Sequence, residues 1–496
     1  MGPVNGALSL GSGIFLVAAL GLALTFEFVN GFHDTANAVA TTIYTHTLRP
    51  TTAVIWSGCW NLVGVLTSSG AVAFAVVALL PVELVLNVGS GAGFAMVFAL
   101  LISATLWNLG TWYLGLPASS SHTLIGSILG VGLANAILSS GHQFGEGVNW
   151  SKASEVGISL LVSPIIGFAG AAVLLLTAKV LIPREDLYRA PDSHKLPPLW
   201  IRLLLVLTCT AVSFGHGSND GQKGMGLLML ILIGILPVTY AVDLGASQSS
   251  IEELAVAAGN ISVQMDRHVK IPITLDDTSA GAELSAFLRS SKPLSNSVFG
   301  AISEKCRKVS AAMKGVRSLQ SFNPEQRATL RSDLYLISET LGRTLATGQL
   351  TAENERRAAA VLRSKIDSLT KFVPSWVKFA VAVALGFGTT VGWKRIVVTV
   401  GEKIGKQHLT YAQGAAAELV AAGTIFAADS LGLPVSTTHV LSSGIAGTMA
   451  ANRSGLQMNT MRNLLLAWVL TLPVCVLLGA GIFAFCLNVL IQLGIT

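Results

Sequence analysis

Gly115-Leu116-Pro117-Ala118-Ser119-Ser120-Ser121-His122 returns late in the chain as Gly432-Leu433-Pro434-Val435-Ser436-Thr437-Thr438-His439, changed only by valine for alanine and threonine for serine. Gly31-Phe32-His33-Asp34-Thr35-Ala36-Asn37 is answered in the same way by Gly217-Ser218-Asn219-Asp220-Gly221-Gln222-Lys223. Each half therefore carries the same two polar motifs in the same order. Duplicated polar motifs at matching places in apolar sequence mark a carrier built from two repeats.

Composition agrees with this class. Hydrophobic residues make up 52% and charged residues 12% of the 496, with a mean hydropathy of +0.64, which excludes an ordinary soluble domain. Candidate spans fall at about 9–30, 52–80, 93–115, 122–139, 156–182, 199–216, 224–242, 376–393, 411–431, 434–451 and 463–492. The expected fold is an all-α polytopic membrane protein of about 10–12 spans, with two inverted repeats whose broken helices meet at the midplane. The first apolar run lacks a basic n-region and is read as a span, not a cleaved signal peptide. Five isolated cysteines give no metal spacing and no disulfide framework. Neither a cofactor nor a nucleic-acid partner is expected, and homo-oligomerisation is left open.

Charge gives orientation. Lys179, Arg184, Arg189, Lys195 and Arg202 surround the loop between the fifth and sixth spans, whereas 139–155 sets Glu146 and Glu155 against Lys152. The positive-inside rule makes the first loop cytoplasmic and the second external. Counting back places Arg49 inside and the N-terminus outside, and gives the two halves opposite orientations. By the same count the insertion at 243–374, which holds 31 of the chain's charged residues, is cytoplasmic. The division is then 1–182 for the first repeat, 183–242 for the start of the second, 243–374 for the insertion and 375–496 for the remainder. One stretch resists this scheme. If 376–393 crosses completely, Lys394, Arg395, Lys403 and Lys406 fall outside, so either that stretch is re-entrant or 396–400 belongs to a second, partial crossing.

Within the insertion, Asn323, Pro324 and Gln326 open a helix with Leu330, Leu334, Ile337, Leu341 and Leu345 at helical spacing. Thr351 opens another, with Val361, Leu362, Ile366 and Leu369 on its apolar face. No nucleotide loop or catalytic constellation is visible there, and a structural or regulatory insert is expected.

Pro117 and Pro434 sit where a helix restarts, so the hydroxyls that follow lie at a cap and first turn, where unpaired N–H groups and the helix dipole favour an anion. Glu27, His33, Asp34, Asp220, Lys223 and Glu418 lie in or beside apolar spans, where each charge costs roughly 2.5–3.5 kcal/mol on insertion scales. Residues carried at that cost are candidates for function. Glu27, Asp34 and Asn37 fall near one helical face.

The strings GFHDTANAVAT, GTWYLGLPASSSHTLIG, FGHGSNDGQKG, GEKIGK and GLPVSTTHVLSS resemble the inorganic phosphate transporter (PiT) family, closest to its bacterial low-affinity members. The resemblance covers the chain outside the insertion. It implies a multi-pass carrier of the cell inner membrane that moves phosphate with a coupling cation, generally a proton in bacterial members and sodium in many others. The cargo there is often a neutral complex of phosphate with a divalent metal ion. Carried over by position, Asp34, Asn37, Asn219 and Asp220 are the signature residues. Ser119, Ser120, Ser121, Ser436, Thr437 and Thr438 are the phosphate-contacting hydroxyls. Gln222 and Lys223 join them as candidate substrate ligands, and Glu27 joins Asp34, Asn37 and Asp220 as a candidate for the coupling ion or the substrate.

This chain departs from the sodium-using pattern, which repeats D-x-x-N in both halves, because Lys223 stands where the second asparagine would. An ammonium donates three hydrogen bonds and accepts none, so it replaces a cation instead of binding one. Lys223 either takes that place and attracts phosphate, or pairs with Asp34 or Asp220. The expected function is proton-coupled phosphate import, with arsenate as a competitor. A sodium-coupled phosphate carrier, or a carrier of another tetrahedral oxyanion such as sulfate, is the alternative. An intramembrane hydrolase is disfavoured: Ser121-His122 and Thr438-His439 are adjacent, so on a helix their side chains diverge, and no G-x-S-x-G elbow occurs.

Overall fold

A computed structural model describes residues 10–34, 36–80, 88–138, 148, 150–191, 197–270, 275–289 and 293–494, apart from the side chains of 36, 37, 151, 152, 155, 156 and 238. Glu146 and Lys195, and the side chains of Asn37, Lys152 and Glu155, lie outside the described residues. The described chain is helical throughout, without a strand.

The membrane part opens with α1 (Leu10–Asp34), α2 (Ala36–Tyr44), α3 (Pro50–Thr67) and α4 (Ala71–Val77). It continues with α5 (Gly91–Tyr113), α6 (Ser120–Leu138), α7 (Trp150–Leu181), the short α8 (Glu185–Tyr188) and α9 (Leu199–Ile235). After α10 (Pro237–Tyr240) comes the insertion, with α11 (Gln248–Asp266), α12 (Asp277–Arg289), α13 (Asn296–Met313), α14 (Pro324–Ala346) and α15 (Glu353–Thr370). The chain then returns through α16 (Ser375–Thr390), α17 (Lys394–Val398), α18 (Tyr411–Ser430), α19 (Thr437–Ala451) and α20 (Met458–Gln492).

Six described helices are long and apolar enough to cross a membrane, or up to eight if each bent pair counts as one span. That is fewer than the expected 10–12, because neither 411–431 nor 434–451 yields a described helix that is both long and apolar enough, and because 199–216 and 224–242 do not form two spans. They are joined in α9, which runs unbroken for 37 residues through Gly217 to Lys223. A polar run lowers hydropathy without breaking a helix when neighbouring helices satisfy its side chains. The break expected at the second motif is thus absent from α9, α1 and α2 together count as one candidate span, Leu10–Tyr44, and α3 is followed by a bend of 78° into α4.

The helices pair by exchange between halves. α6 packs along α20 and α19 along α7, while α1 lies on α16 and α9 on α3. The α3–α9 crossing is close enough that a Cβ on Gly64 would strike the backbone of Phe214 and Ser218, and one on Gly217 the backbone of Asn61. α1 and α9 run antiparallel, since Glu27 lies against Gly224 while Asp34 faces His216.

One end of the molecule gathers 45–48, 404–408 and 453–457. The His46 ring stacks on His408, Lys406 N–H donates to Gly455 O at 3.0 Å, and the start of α9 clusters with Leu187 and Tyr411. At the other end Lys378 Nζ donates to Ser68 O at 2.8 Å, and Tyr240 meets Trp376. Placing the insertion in the cytoplasm required two crossings between 199 and 242, and α9 makes one. The insertion therefore stands at the opposite end from residues 183–191. The same fact removes the difficulty at 376–393. α16 starts from the insertion end, and after its end at Thr390 the chain continues through α17 to the basic end.

The insertion has a core of its own, from Val242 to Leu369. Asn323 caps α14 with a full capping box to Gln326, as its spacing predicts. The next helix begins at Glu353, not Thr351, and Val361 is 52% exposed instead of joining Leu362, Ile366 and Leu369 in the core.

Candidate functional site

Two hairpins enter from opposite ends and bring their tips together at the α1–α9 crossing. The first, α5–α6, turns through Gly115 at φ +68°, and the second, α18–α19, through Gly432 at φ +66°, a conformation that favours glycine. Past each tip a serine caps the returning helix. Ser119 Oγ accepts from His122 N–H and Ser436 Oγ from His439 N–H, both at 3.2 Å. The free N–H groups and positive dipole ends of α6 and α19 thus lie at the centre, as the proline and hydroxyl pattern predicts. The His122 and His439 rings meet at 4.7 Å between the two tips.

Asp34, at the end of α1, collects both hydroxyl runs. Ser120 Oγ donates to its Oδ2 at 3.2 Å, and Thr438 Oγ1 donates to its Oδ1. His216 Nε2 lies 3.7 Å from the Asp34 carboxylate and 3.3 Å from Asp220 Oδ2, with its Nδ1 3.0 Å from Asn61 Oδ1. Lys223 Nζ donates at 2.5 Å to both Asp220 Oδ1 and Ser121 Oγ, and Ser121 Oγ donates onward to Val435 O at 3.0 Å. Asp34, Asp220, His216 and Lys223 are all at most 2% exposed. Of the two roles left open for Lys223, pairing with Asp220 is realised, and its contact with Ser121 also puts the ammonium at the first hydroxyl run.

Other candidates fall differently. Asn219 clasps the second tip by donating to Leu433 O at 3.1 Å and accepting from Val435 N–H at 3.4 Å. Gln222 points away from the centre. Its Nε2 donates to Asp429 Oδ1 at 2.6 Å and its Oε1 accepts from Val72 N–H at 2.9 Å, so it ties α9 to α4 and α18. Thr437 is buried at the second tip. Glu27 is fully buried against Gly224, and neither of its oxygens has a hydrogen-bond partner among the described residues. Glu418 accepts from Thr41 and Thr208, nearer the basic end.

His216 is the site residue that the candidate set omitted. Its signal was its spacing of four from Asp220, which puts both side chains on one face of an unbroken helix. With Asp34 and Asp220 it offers ligand atoms within 4.8 Å of one another, a donor set that suits a proton or a divalent cation. The hydroxyls, the helix ends and Lys223 suit an oxyanion. Ser121 bonds Lys223 and Val435, not His122, so the adjacent pair makes no nucleophile with a base.

Comparison with known proteins follows the same line. The model of the phosphate transporter family matches residues 30–479. The chain is 41% identical to the low-affinity inorganic phosphate transporter PitA of Escherichia coli (strain K12), over 96% of this chain and 97% of that protein. It is 40% identical to PitB of the same strain, over 97% and 99%. A solved structure of a sodium-dependent phosphate transporter shares the fold with a TM-score of 0.50 and 19% identity, covering 95% of this chain and 98% of that one.

Proposed function

This chain belongs to the phosphate transporter family, a family of membrane carriers and not of enzymes, and on that premise we propose that it imports inorganic phosphate across the cell inner membrane as a proton symporter, by alternating access. The observation that carries this is the convergence of Ser120 and Thr438, from two different hairpins, on the one carboxylate of Asp34. Phosphate lies between the two tips, taking donors from Ser119 to Ser121, from Ser436 to Thr438 and from Lys223. Asp34 and Asp220 accept from its P–OH groups or hold the accompanying cation, a proton or the divalent metal of a metal–phosphate cargo. Glu27, on α1, and Asn37, on α2, belong to the same set. Asn219 and Gln222 act on it indirectly, by fixing the second tip and α4.

Two inverted repeats, 1–182 and 183–242 with 375–496, are supported by the antiparallel α1 and α9 and by the exchange of helix partners between halves. The separate core of 243–374 supports its standing as an insertion. Short loops at the basic end carry Arg49, Arg184, Arg189, Lys406 and Arg453, which supports a cytoplasmic position for that end and an outer one for the insertion. A segment longer than about 60 residues is exempt from the charge rule, so the insertion's own lysines and arginines do not oppose this. A cysteine placed at exposed Ser249, in a chain otherwise freed of cysteine, is expected to react with a membrane-impermeant thiol reagent added outside intact cells. Labelling only after permeabilisation would return the insertion to the cytoplasm.

Uptake of radiolabelled phosphate into proteoliposomes tests the function. A pH gradient without sodium is expected to drive accumulation several-fold above the gradient-free level. An unmodified protein that needs sodium at constant pH would favour the sodium-coupled alternative.

A further inference from the structure

A groove of about 630 Å³ opens at the basic end, beside the tip of the first hairpin. Its walls come from residues 112–115, at the end of α5, and from residues around α17. Hydrogen bonds hold the walls together: Trp112 Nε1 donates to Gly392 O at 2.7 Å, and Thr399 Oγ1 to Gly115 O at 2.7 Å. Lys394, Arg395 and Lys403 line the groove, and no carboxylate does. The Arg395 guanidinium is already placed. It stands 5.3 Å from the centre of the Trp112 ring and 5.0 Å from that of Tyr113, and donates to Tyr113 O at 2.8 Å. Lys394 and Lys403 are exposed and have no ion-pair partner among the described residues.

The flank of the groove is apolar. Tyr113 is 65% exposed, Leu114 69% and, on the adjoining α16, Phe387 65%. In a multi-pass protein such large exposed side chains face acyl chains, and a tryptophan and tyrosine wall belongs at the depth of the headgroups. Basic pockets between spans on the cytoplasmic side are suited to anionic headgroups. A cationic rim, an aromatic wall and an apolar flank fit an amphiphile with a phosphodiester head better than a free phosphate ion, which gains nothing from the apolar flank.

We propose that this groove binds an anionic phospholipid, its headgroup phosphate between Lys394 and Lys403 and its acyl chains along Tyr113, Leu114 and Phe387. The bound lipid joins the end of α5 to α17 and so braces the tip that carries Ser119 to Ser121. This assignment does not depend on which ion drives transport.

Native mass spectrometry of the purified full chain, with phosphatidylglycerol or phosphatidylcholine added, is the test. The unmodified protein is expected to retain phosphatidylglycerol in preference. The Lys394→Gln/Lys403→Gln variant is expected to retain it roughly 20-fold less strongly, since each lysine near an anionic headgroup is worth about a factor of five. Lys406→Gln, on the same face but outside the groove, is expected to bind as the unmodified protein does. Phosphate exchange by the double variant in proteoliposomes reports that it is folded. Equal retention of the two lipids, unchanged retention in the double variant, or an equal loss in Lys406→Gln would each overturn the proposal. Displacement of phosphatidylglycerol by millimolar inorganic phosphate would overturn it too, by making the groove a site for the free ion.

Discussion

Lys223→Asn is expected to lower uphill phosphate uptake by roughly 100-fold or more, because removing one partner of a buried ion pair costs about 3–5 kcal/mol. Lys223 is fully buried, and its ammonium joins Asp220 to Ser121, the last hydroxyl of the first run. Without it Asp220 and Asp34 are left near each other and near an incoming anion, with His216 between them and His33 3.5 Å from Asp34 to carry compensating charge. An asparagine carbonyl accepts where the ammonium could only donate, so the variant is also expected to gain a response to sodium. Uptake into proteoliposomes with a pH gradient, a sodium gradient or neither separates the outcomes. Size-exclusion chromatography of the same preparation reports whether the protein is intact. Undiminished proton-driven uptake in Lys223→Asn would remove the lysine from the transport cycle.

Sulfate is expected to inhibit phosphate uptake far less than arsenate does. Phosphate and arsenate at neutral pH carry one or two hydroxyl donors, sulfate carries none, and an ionised carboxylate only accepts. Asp34 lies where both hydroxyl runs reach it, so an oxyanion seated between the tips meets that carboxylate with a P–OH or with a bare oxygen. Sites that bond a particular hydroxyl can reject an analogue lacking it by about 10⁴–10⁵. Asp34→Asn supplies an N–H donor and is expected to narrow the discrimination as well as slow transport. Competition assays with labelled phosphate against each oxyanion decide this. Sulfate inhibition equal to that of arsenate in the unmodified protein would sink this basis for selectivity. Discrimination that survives in both Asp34→Asn and Asp220→Asn would assign the carboxylates to the coupling cation.

The sequence alone determined the membrane class, the two polar motifs of each half and the local form of the hairpin tips. These are short-range properties. Hydropathy follows from composition, and the proline, the positive-φ glycine and the capping serine act within a few residues of one another. Capping at Asn323 was readable for the same reason. Which hydroxyls meet Asp34 was decided only by tertiary structure, because Ser120 and Thr438 lie 86 and 404 residues from it along the chain. His216 entered the centre, and Gln222 left it for Asp429, because a continuous α9 turns successive side chains to different neighbours. The side on which the insertion stands depended on the same helix. A polar run within a span lowers hydropathy in the same way whether the chain breaks there or continues, and only the partners supplied by α1, α3 and the two hairpin tips allow 199–235 to cross once.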